Sequence, residues 1–348
     1  MKIAQVAPLA ESVPPKLYGG TERVVSYLTE ELVRLGHDVT LFASADSETS
    51  ARLVACAPRA QRLDPSLQDP LAHLALMLEC VRQFAHEFDI LHFHVENVHL
   101  PLFRPMARKT VTTMHSRVDR PELAPLYQEF RDMPLVSISN SQRAPLPFAN
   151  WVGTVYHGLA REVCPFNPAP RGNYFAFLGR VSREKGLERA IEIARRANVR
   201  LRIAAKVDRA DEDYFEQRLK PLFALPGIEF VGEMNEADKP AFLGNATALL
   251  FPIDWPEPFG LAMIEAMSCG TPVIAWRNGS VPEVVEEGRT GIVVQSMDEA
   301  VAATVRAGRM DRLAVRDRFE ERFSAARMAQ DYLAVYRALA RRRVAAAA

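Results

Sequence analysis

Cysteine is scarce in this sequence: Cys56, Cys80, Cys164 and Cys269 are the only four. They lie far apart and are never spaced C-x-x-C, which fits neither a disulfide framework nor a zinc site and implies a reducing, cytoplasmic setting. No apolar run approaches the roughly 18 residues that a membrane-spanning helix needs. The opening MKIAQVAPLAESVPP is broken by prolines where a signal peptide needs an unbroken apolar stretch, so it reads as a first β-strand. An excess of one charge is missing too. Lysine plus arginine equals aspartate plus glutamate at 43 each, so no global field draws in nucleic acid. Arg341, Arg342 and Arg343 form a short basic cluster that complements a helix C-terminus and allows at most peripheral membrane contact. These absences leave a small-molecule substrate as the default.

What is present is alternation. At 348 residues the chain exceeds one ordinary core and fits two domains. Short β-rich apolar runs alternate with helix-period segments throughout, the pattern of parallel sheets covered by helices on both faces. KIAQVAP leads through Tyr18-Gly19-Gly20-Thr21 into a helix with Val25, Leu28, Leu32 and Leu35 on its apolar face and Gly36 as its stop. DVTLFAS from Asp38, DILHFH from Asp89, TVTTMH from Thr110, LVSISN from Leu135 and TVYHG from Thr154 complete a predicted six-strand α/β domain over residues 1–166. CPFNPAPRG, from Cys164 to Gly172, packs in three prolines and is the linker and expected hinge. YFAFLG, LRIAAK, IEFVG, ALLFP, PVIAW and GIVV then define a second doubly wound domain over residues 167–323. A last helix, residues 324–348 with its helical pattern running to about Arg341, carries Met328, Tyr332, Val335, Tyr336 and Leu339 at helical spacing. It has a face to bury, and the N-terminal domain is one place to bury it.

Doubly wound sheets bind ligands at the carboxyl ends of their strands, so two of them joined by a short linker are expected to face a shared cleft. The most informative loop follows ALLFP and runs from Trp255 through Glu257, Phe259, Gly260 and Leu261 into a helix that carries Glu265. Glu257 precedes the helix N-terminus and Glu265 lies more than a turn inside it, roughly 8–10 Å further along. Two carboxylates therefore flank a patch of backbone N–H groups. Those N–H groups and the positive end of the helix dipole suit a phosphate, and the carboxylates suit hydroxyls. A nucleotide-sugar has this layout, although Glu257 as a plain cap and Glu265 as a solvated side chain fit the same spacing.

The block Glu257-Pro258-Phe259-Gly260 through Glu265 to Gly270-Thr271-Pro272-Val273 resembles the E-x7-E signature of the family-4 retaining glycosyltransferases of the GT-B fold, also called glycosyl transferases group 1. Phe177-Leu178-Gly179-Arg180 and Glu184-Lys185-Gly186 resemble that family's paired basic residues. Gly19-Gly20, His115 after TVTTM and Tyr156-His157-Gly158 are similar too, and all of these occur in the family's order. The resemblance implies two Rossmann-like domains about a central cleft, with a UDP- or GDP-sugar held mainly by the C-terminal domain. It places Arg180 and Lys185 on the pyrophosphate, Glu265 on the ribose hydroxyls and Glu257 on the donor sugar. The N–H groups of Phe259, Gly260 and Leu261 lie beside them, Gly232 and Met234 lie near the base, and Gly19, Gly20 and His115 approach from the other domain. It implies transfer of a hexose-type sugar with retention to the hydroxyl of a sugar, lipid-linked or small-molecule acceptor. Fixed cations at a departing phosphate do the work that metals do elsewhere, so no metal and no cofactor are expected.

Other candidates rank lower. His92 and His94 project to one face of their strand as a metal arm would, but no carboxylate or cysteine at matching spacing completes a set. Lys206 ends a strand where it would meet the nucleotide or the donor sugar, and it reads equally as a partner of Asp208 or Asp211. A sugar-nucleotide epimerase, a phosphorylase or a non-catalytic nucleotide-sugar-binding protein would use the same architecture.

Overall fold

The computed structural model describes residues 1–16, 19–163 and 165–345. Tyr18 and Cys164, two of the positions read above, lie outside the described residues, as do the side chains of Arg342 and Arg343. The chain forms two units, Met1–Gly158 with Ala325–Ala348 and Leu159–Ser324. Among the described residues no helix is long and apolar enough to cross a membrane.

The first unit is built on seven parallel strands: β1 (Lys2–Val6), β2 (Asp38–Ser44), β3 (Arg52–Ala57), β4 (Ile90–Phe93), β5 (Thr110–Thr113), β6 (Leu135–Ser137) and β7 (Trp151–Thr154). Their spatial order is β3-β2-β1-β4-β5-β6-β7. Central strands of such a sheet are covered on both faces, and Ile3 to Val6 are buried throughout, the polar Gln5 included. Two readings of the sequence change. The six expected strands are seven, because RLVACA forms β3. The last strand is Trp151–Thr154, which leaves Tyr156-His157-Gly158 beyond its end. Both misread strands lie at sheet edges, where one side is half-exposed and the apolar run is diluted.

Helix Gly20–Arg34 buries Val24, Val25, Leu28 and Leu32, and the chain leaves it at Gly36 with φ 81°. Helix Ala325–Ala345 belongs to this unit and buries Met328, Tyr332, Tyr336 and Leu339. The division between units falls at 158/159 rather than 166/167. Leu159 N–H donates to the Phe323 carbonyl at 2.9 Å, and Arg161 pairs with Glu320 at 3.2 Å, which ties residues 159–163 to the second unit.

That second unit holds β8 (Phe175–Arg180), β9 (Leu201–Lys206), β10 (Ile228–Gly232), β11 (Leu249–Phe251), β12 (Val273–Trp276) and β13 (Gly291–Val294), ordered β10-β9-β8-β11-β12-β13. Both sheets therefore reverse strand order beside their first strand, between β1 and β4 and between β8 and β11. Ligands of such sheets bind at these switch points. Cys56 and Cys80 are free thiols, and burial beside Cys80 pushes the Cys56 thiol up to about 12.

The interior of the first unit contains three fully buried histidines. His92 and His99 hydrogen-bond Thr113 and Thr112, each at 2.7 Å, and His94 reaches Gln5 at 2.8 Å. Burial holds His92 and His94 well below the usual imidazole range and His99 down to about 3. The unfolded chain binds these protons below about pH 6.5 and the native state does not, so stability present above that pH is lost as pH falls. The urea midpoint should drop between pH 7.5 and 5.5, reflecting a loss of up to roughly 1 kcal/mol of unfolding free energy per buried histidine. The drop should shrink in His99→Gln. A midpoint that stays flat or rises over this interval would contradict the assignment.

Candidate active site

At the end of β8 Arg180 is followed by a tight turn, Arg183–Lys185, and then by Gly186 in the left-handed region at φ 71°. A Cβ at Gly186 would lie 2.0 Å from the Pro252 carbonyl oxygen, so only glycine lets the loop after β8 touch the loop after β11. Asp254 N–H donates to the Glu184 carbonyl across the same seam at 2.7 Å. The contact delivers Lys185 to Glu257, with Nζ 2.5 Å from Oε2. Trp255 Nε1–H donates to the same oxygen at 2.8 Å, and Lys185 Nζ sits 4.9 Å from the Trp255 ring centre. Both side chains are nearly buried, at 14% and 10% exposure. Removing either partner of such a pair leaves an uncompensated charge, which costs about 3–5 kcal/mol when burial is complete.

Glu257 is held from behind by the turn after β12. Gly279 lies at φ 53°, and a Cβ there would come within 2.3 Å of Glu257 N. Ser280 N–H donates to the Glu257 carbonyl at 2.9 Å, and Ser280 Oγ–H donates to the Phe259 carbonyl at 2.8 Å. The Phe259 ring is buried edge-on to Phe323. Gly260 caps the helix Leu261–Ser268, and Glu265 inside that helix is buried and paired with Lys239 Nζ at 3.0 Å. Lys239 also pairs with Glu236. Arg180 lies 3.4 Å from Asp208 and 3.9 Å from Glu184, and Lys206 meets Asp208 at 3.0 Å. Partial burial pushes the Asp208 carboxyl up, but Lys206 and Arg180 outweigh it and hold the group below the usual carboxylate range. Gly232 closes β10, and Met234 beyond it lines an open pocket of about 480 Å³ with Tyr174, Arg202, Asp238 and Phe242.

The sequence reading missed Lys239, Trp255, Gly279 and Ser280 as supporting residues. Asn278-Gly279-Ser280 is legible as a turn, but its partner, the Glu257 backbone, is distant in sequence. Lys239 carries no local signal at all.

Gly19, Gly20, His115 and His157 belong to the first unit. Gly19 is the N-cap of helix Gly20–Arg34 and packs on Pro15 and Glu11. His115 follows β5, its Nε2 2.9 Å from His94 Nδ1 and its ring stacked on His157 at 5.3 Å. Burial holds the His115 imidazole down to about 3, so it is a neutral hydrogen-bonding group near pH 7 rather than a proton acceptor poised there. His92 and His94 spend their ring nitrogens on protein hydrogen bonds.

The chain is thus two doubly wound units, and in the second a cation and two carboxylates are set around the switch point of the sheet. Two family models match, Glycosyltransferase Family 4 over residues 18–176 and Glycosyl transferases group 1 over residues 165–322, and the chain belongs to this family of glycosyltransferases. It is 31% identical over 183 residues to the alpha-maltose-1-phosphate synthase of Mycolicibacterium smegmatis, a match spanning 47% of this chain and about half (47%) of that relative. The fold is GT-B. It is similar to the sucrose-phosphate synthase of Thermosynechococcus elongatus at TM-score 0.78 and 20% identity, covering 97% of this chain and 99% of that one. It is also similar to HepE of Anabaena, solved in complex with UDP and glucose, at TM-score 0.74 and 18% identity, covering 97% and 100% of the two chains.

The seam between the loops after β8 and β11 should be intolerant of a side chain. Gly186→Ala should destabilise the protein by roughly 1–3 kcal/mol through backbone strain, with the clash at Pro252 in addition. Gly288, at φ 75° with nothing near it, provides the control, since Gly288→Ala has only the strain. Equal urea midpoints for the two variants would refute the close approach.

Proposed function

We propose that the protein transfers a hexose-type sugar from a UDP- or GDP-sugar to an acceptor hydroxyl, with retention of configuration and without a metal. The observation that carries this reading is the nearly buried Lys185–Glu257 pair at the switch point of the second sheet. A cation there suits a phosphate and a carboxylate suits sugar hydroxyls, in the order that a nucleotide-sugar presents them. The UDP- and glucose-bound neighbour of the same fold supports a nucleotide-sugar donor. Free thiols at Cys56 and Cys80 are consistent with a cytoplasmic setting.

In this reading Arg180 and Lys185 bind the pyrophosphate. Glu257 binds the donor sugar, Glu265 binds the ribose hydroxyls, and the first-turn N–H groups after Phe259 and Gly260 complete the anion site. As the bond from the anomeric carbon to phosphate breaks, negative charge grows on the leaving oxygen, and fixed cations stabilise it without reorganising. The acceptor oxygen bonds to the anomeric carbon on the same face, and its proton passes to the departing phosphate. Arg180 and Lys185 would then supply the charge that a divalent ion supplies in other transferases.

Two measurements test the roles. Lys185→Ala should lower kcat by about 10²–10³-fold and weaken calorimetric binding of UDP or GDP, because its charge faces the phosphate. Glu257→Ala should impair donor turnover while leaving diphosphate binding nearly intact. Circular dichroism checks that both variants fold. The opposite pattern, with diphosphate binding lost only in Glu257→Ala, would reverse the assignment. Separately, turnover should survive EDTA. Complete loss in EDTA with recovery in manganese or magnesium would refute the metal-free account.

A further inference from the structure

An unbroken hydrogen-bonded chain runs through the first unit. His115 Nε2 meets His94 Nδ1 at 2.9 Å, and His94 Nε2 meets Gln5 Oε1 at 2.8 Å. Gln5 Nε2 donates to Tyr336 OH at 3.2 Å, and Tyr336 OH meets His92 Nδ1 at 2.7 Å. His92 Nε2 meets Thr113 Oγ1 at 2.7 Å, which meets Tyr332 OH at 2.9 Å. Gln5, His92, His94, Thr113, Tyr332 and Tyr336 are all buried. The chain links strands β1, β4 and β5 to the helix Ala325–Ala345.

The chemistry of each group fixes the direction of the chain. Gln5 Oε1 only accepts, so His94 Nε2 carries the hydrogen. A neutral imidazole has one N–H, so His94 Nδ1 is then an acceptor and His115 Nε2 must donate to it. That leaves His115 Nδ1 with a lone pair. On the other side the Gln5 amide N–H donates to Tyr336, whose hydrogen goes to His92 Nδ1, and His92 Nε2–H donates to Thr113. Every hydrogen bond points the same way. The reverse direction needs a flipped Gln5 amide and puts a hydrogen on His115 Nδ1, a buried atom with no hydrogen-bond partner. An orphaned buried N–H is rarer in proteins than an under-used acceptor, so the first direction is favoured. Burial keeps all the rings neutral at pH 7, which is what makes tautomer identity well defined.

We propose that Gln5, His94 and Tyr336 are positioning residues that lock His115 in its Nε2–H tautomer, leaving a lone pair and no hydrogen on the buried Nδ1. Gln5 is the polarity-setting element, because its acceptor oxygen and donor nitrogen are different, fixed atoms, whereas the hydroxyls and neutral imidazoles can exchange roles. Tyr336 holds the amide in that orientation. The consequence for turnover rests on the glycosyltransferase reading of His115, while the tautomer itself does not.

The test uses the full chain labelled with ¹⁵N-histidine, with His115 assigned by its loss in His115→Gln. Long-range ¹H–¹⁵N correlation should show His115 protonated at Nε2 and bare at Nδ1. Gln5→Met should shift both nitrogens toward averaged, mixed-tautomer values. Tyr336→Phe, which keeps the ring and removes only the hydroxyl, should do so in part, and it serves if Gln5→Met fails to fold. Donor turnover should fall roughly tenfold in Gln5→Met, the scale on which outer-shell partners act, with UDP binding unchanged. A hydrogen on His115 Nδ1 in the unaltered protein, or His115 shifts indifferent to both substitutions, would overturn the relay. Mixed tautomers with unchanged turnover would leave the relay standing and remove His115 from the transfer.

Discussion

Parallel pairing is the constraint from which the rest follows. Every strand pair of both sheets runs parallel, so each strand must be followed by a crossover that returns the chain to the starting edge. All the loops that leave strand ends then gather at one end of each sheet. Where the order reverses, neighbouring loops diverge, and between β8 and β11 the space is lined by Arg180, Lys185 and Glu257. Residues more than seventy positions apart meet there because backbone hydrogen bonding leaves the loops no other place to go.

The Lys185–Glu257 pair shows how such a site is kept folded. A lone ammonium at that depth would lose solvation that nothing repays, and so would a lone carboxylate. Each neutralises the other, Trp255 adds an N–H to the carboxylate, and the glycines at 186 and 279 let the two loops approach closely enough for the pair to form. Glu265 is treated in the same way by Lys239. The first unit solves a related problem without charge. His92 and His94 stay neutral there, and hydroxyls, one amide and the His115 ring take up their ring nitrogens.

Much of this was legible in the sequence. The six strands of the second unit fall where their apolar runs place them, the half-exposed edge strand β10 included. Edge strands β3 and β7 do not, and there the reading failed. Lys185, Glu257 and Glu265 stood out by spacing and by resemblance. Lys239 and Ser280 did not, since what they hold is remote in sequence and their own neighbours say nothing of it.

The sequence by itself determined the α/β alternation, the glycine turns and the presence of cations and carboxylates in loops that follow strands. These are local properties, carried by periodicities of two and 3.6 residues and by the φ freedom of particular residues. Tertiary structure decided which cation faces which carboxylate, which unit takes the last helix, and that His92 meets Tyr336 and His94 meets Gln5. Those outcomes depend on distances between elements remote in the chain. Only the packing of the sheets and their crossovers sets such distances.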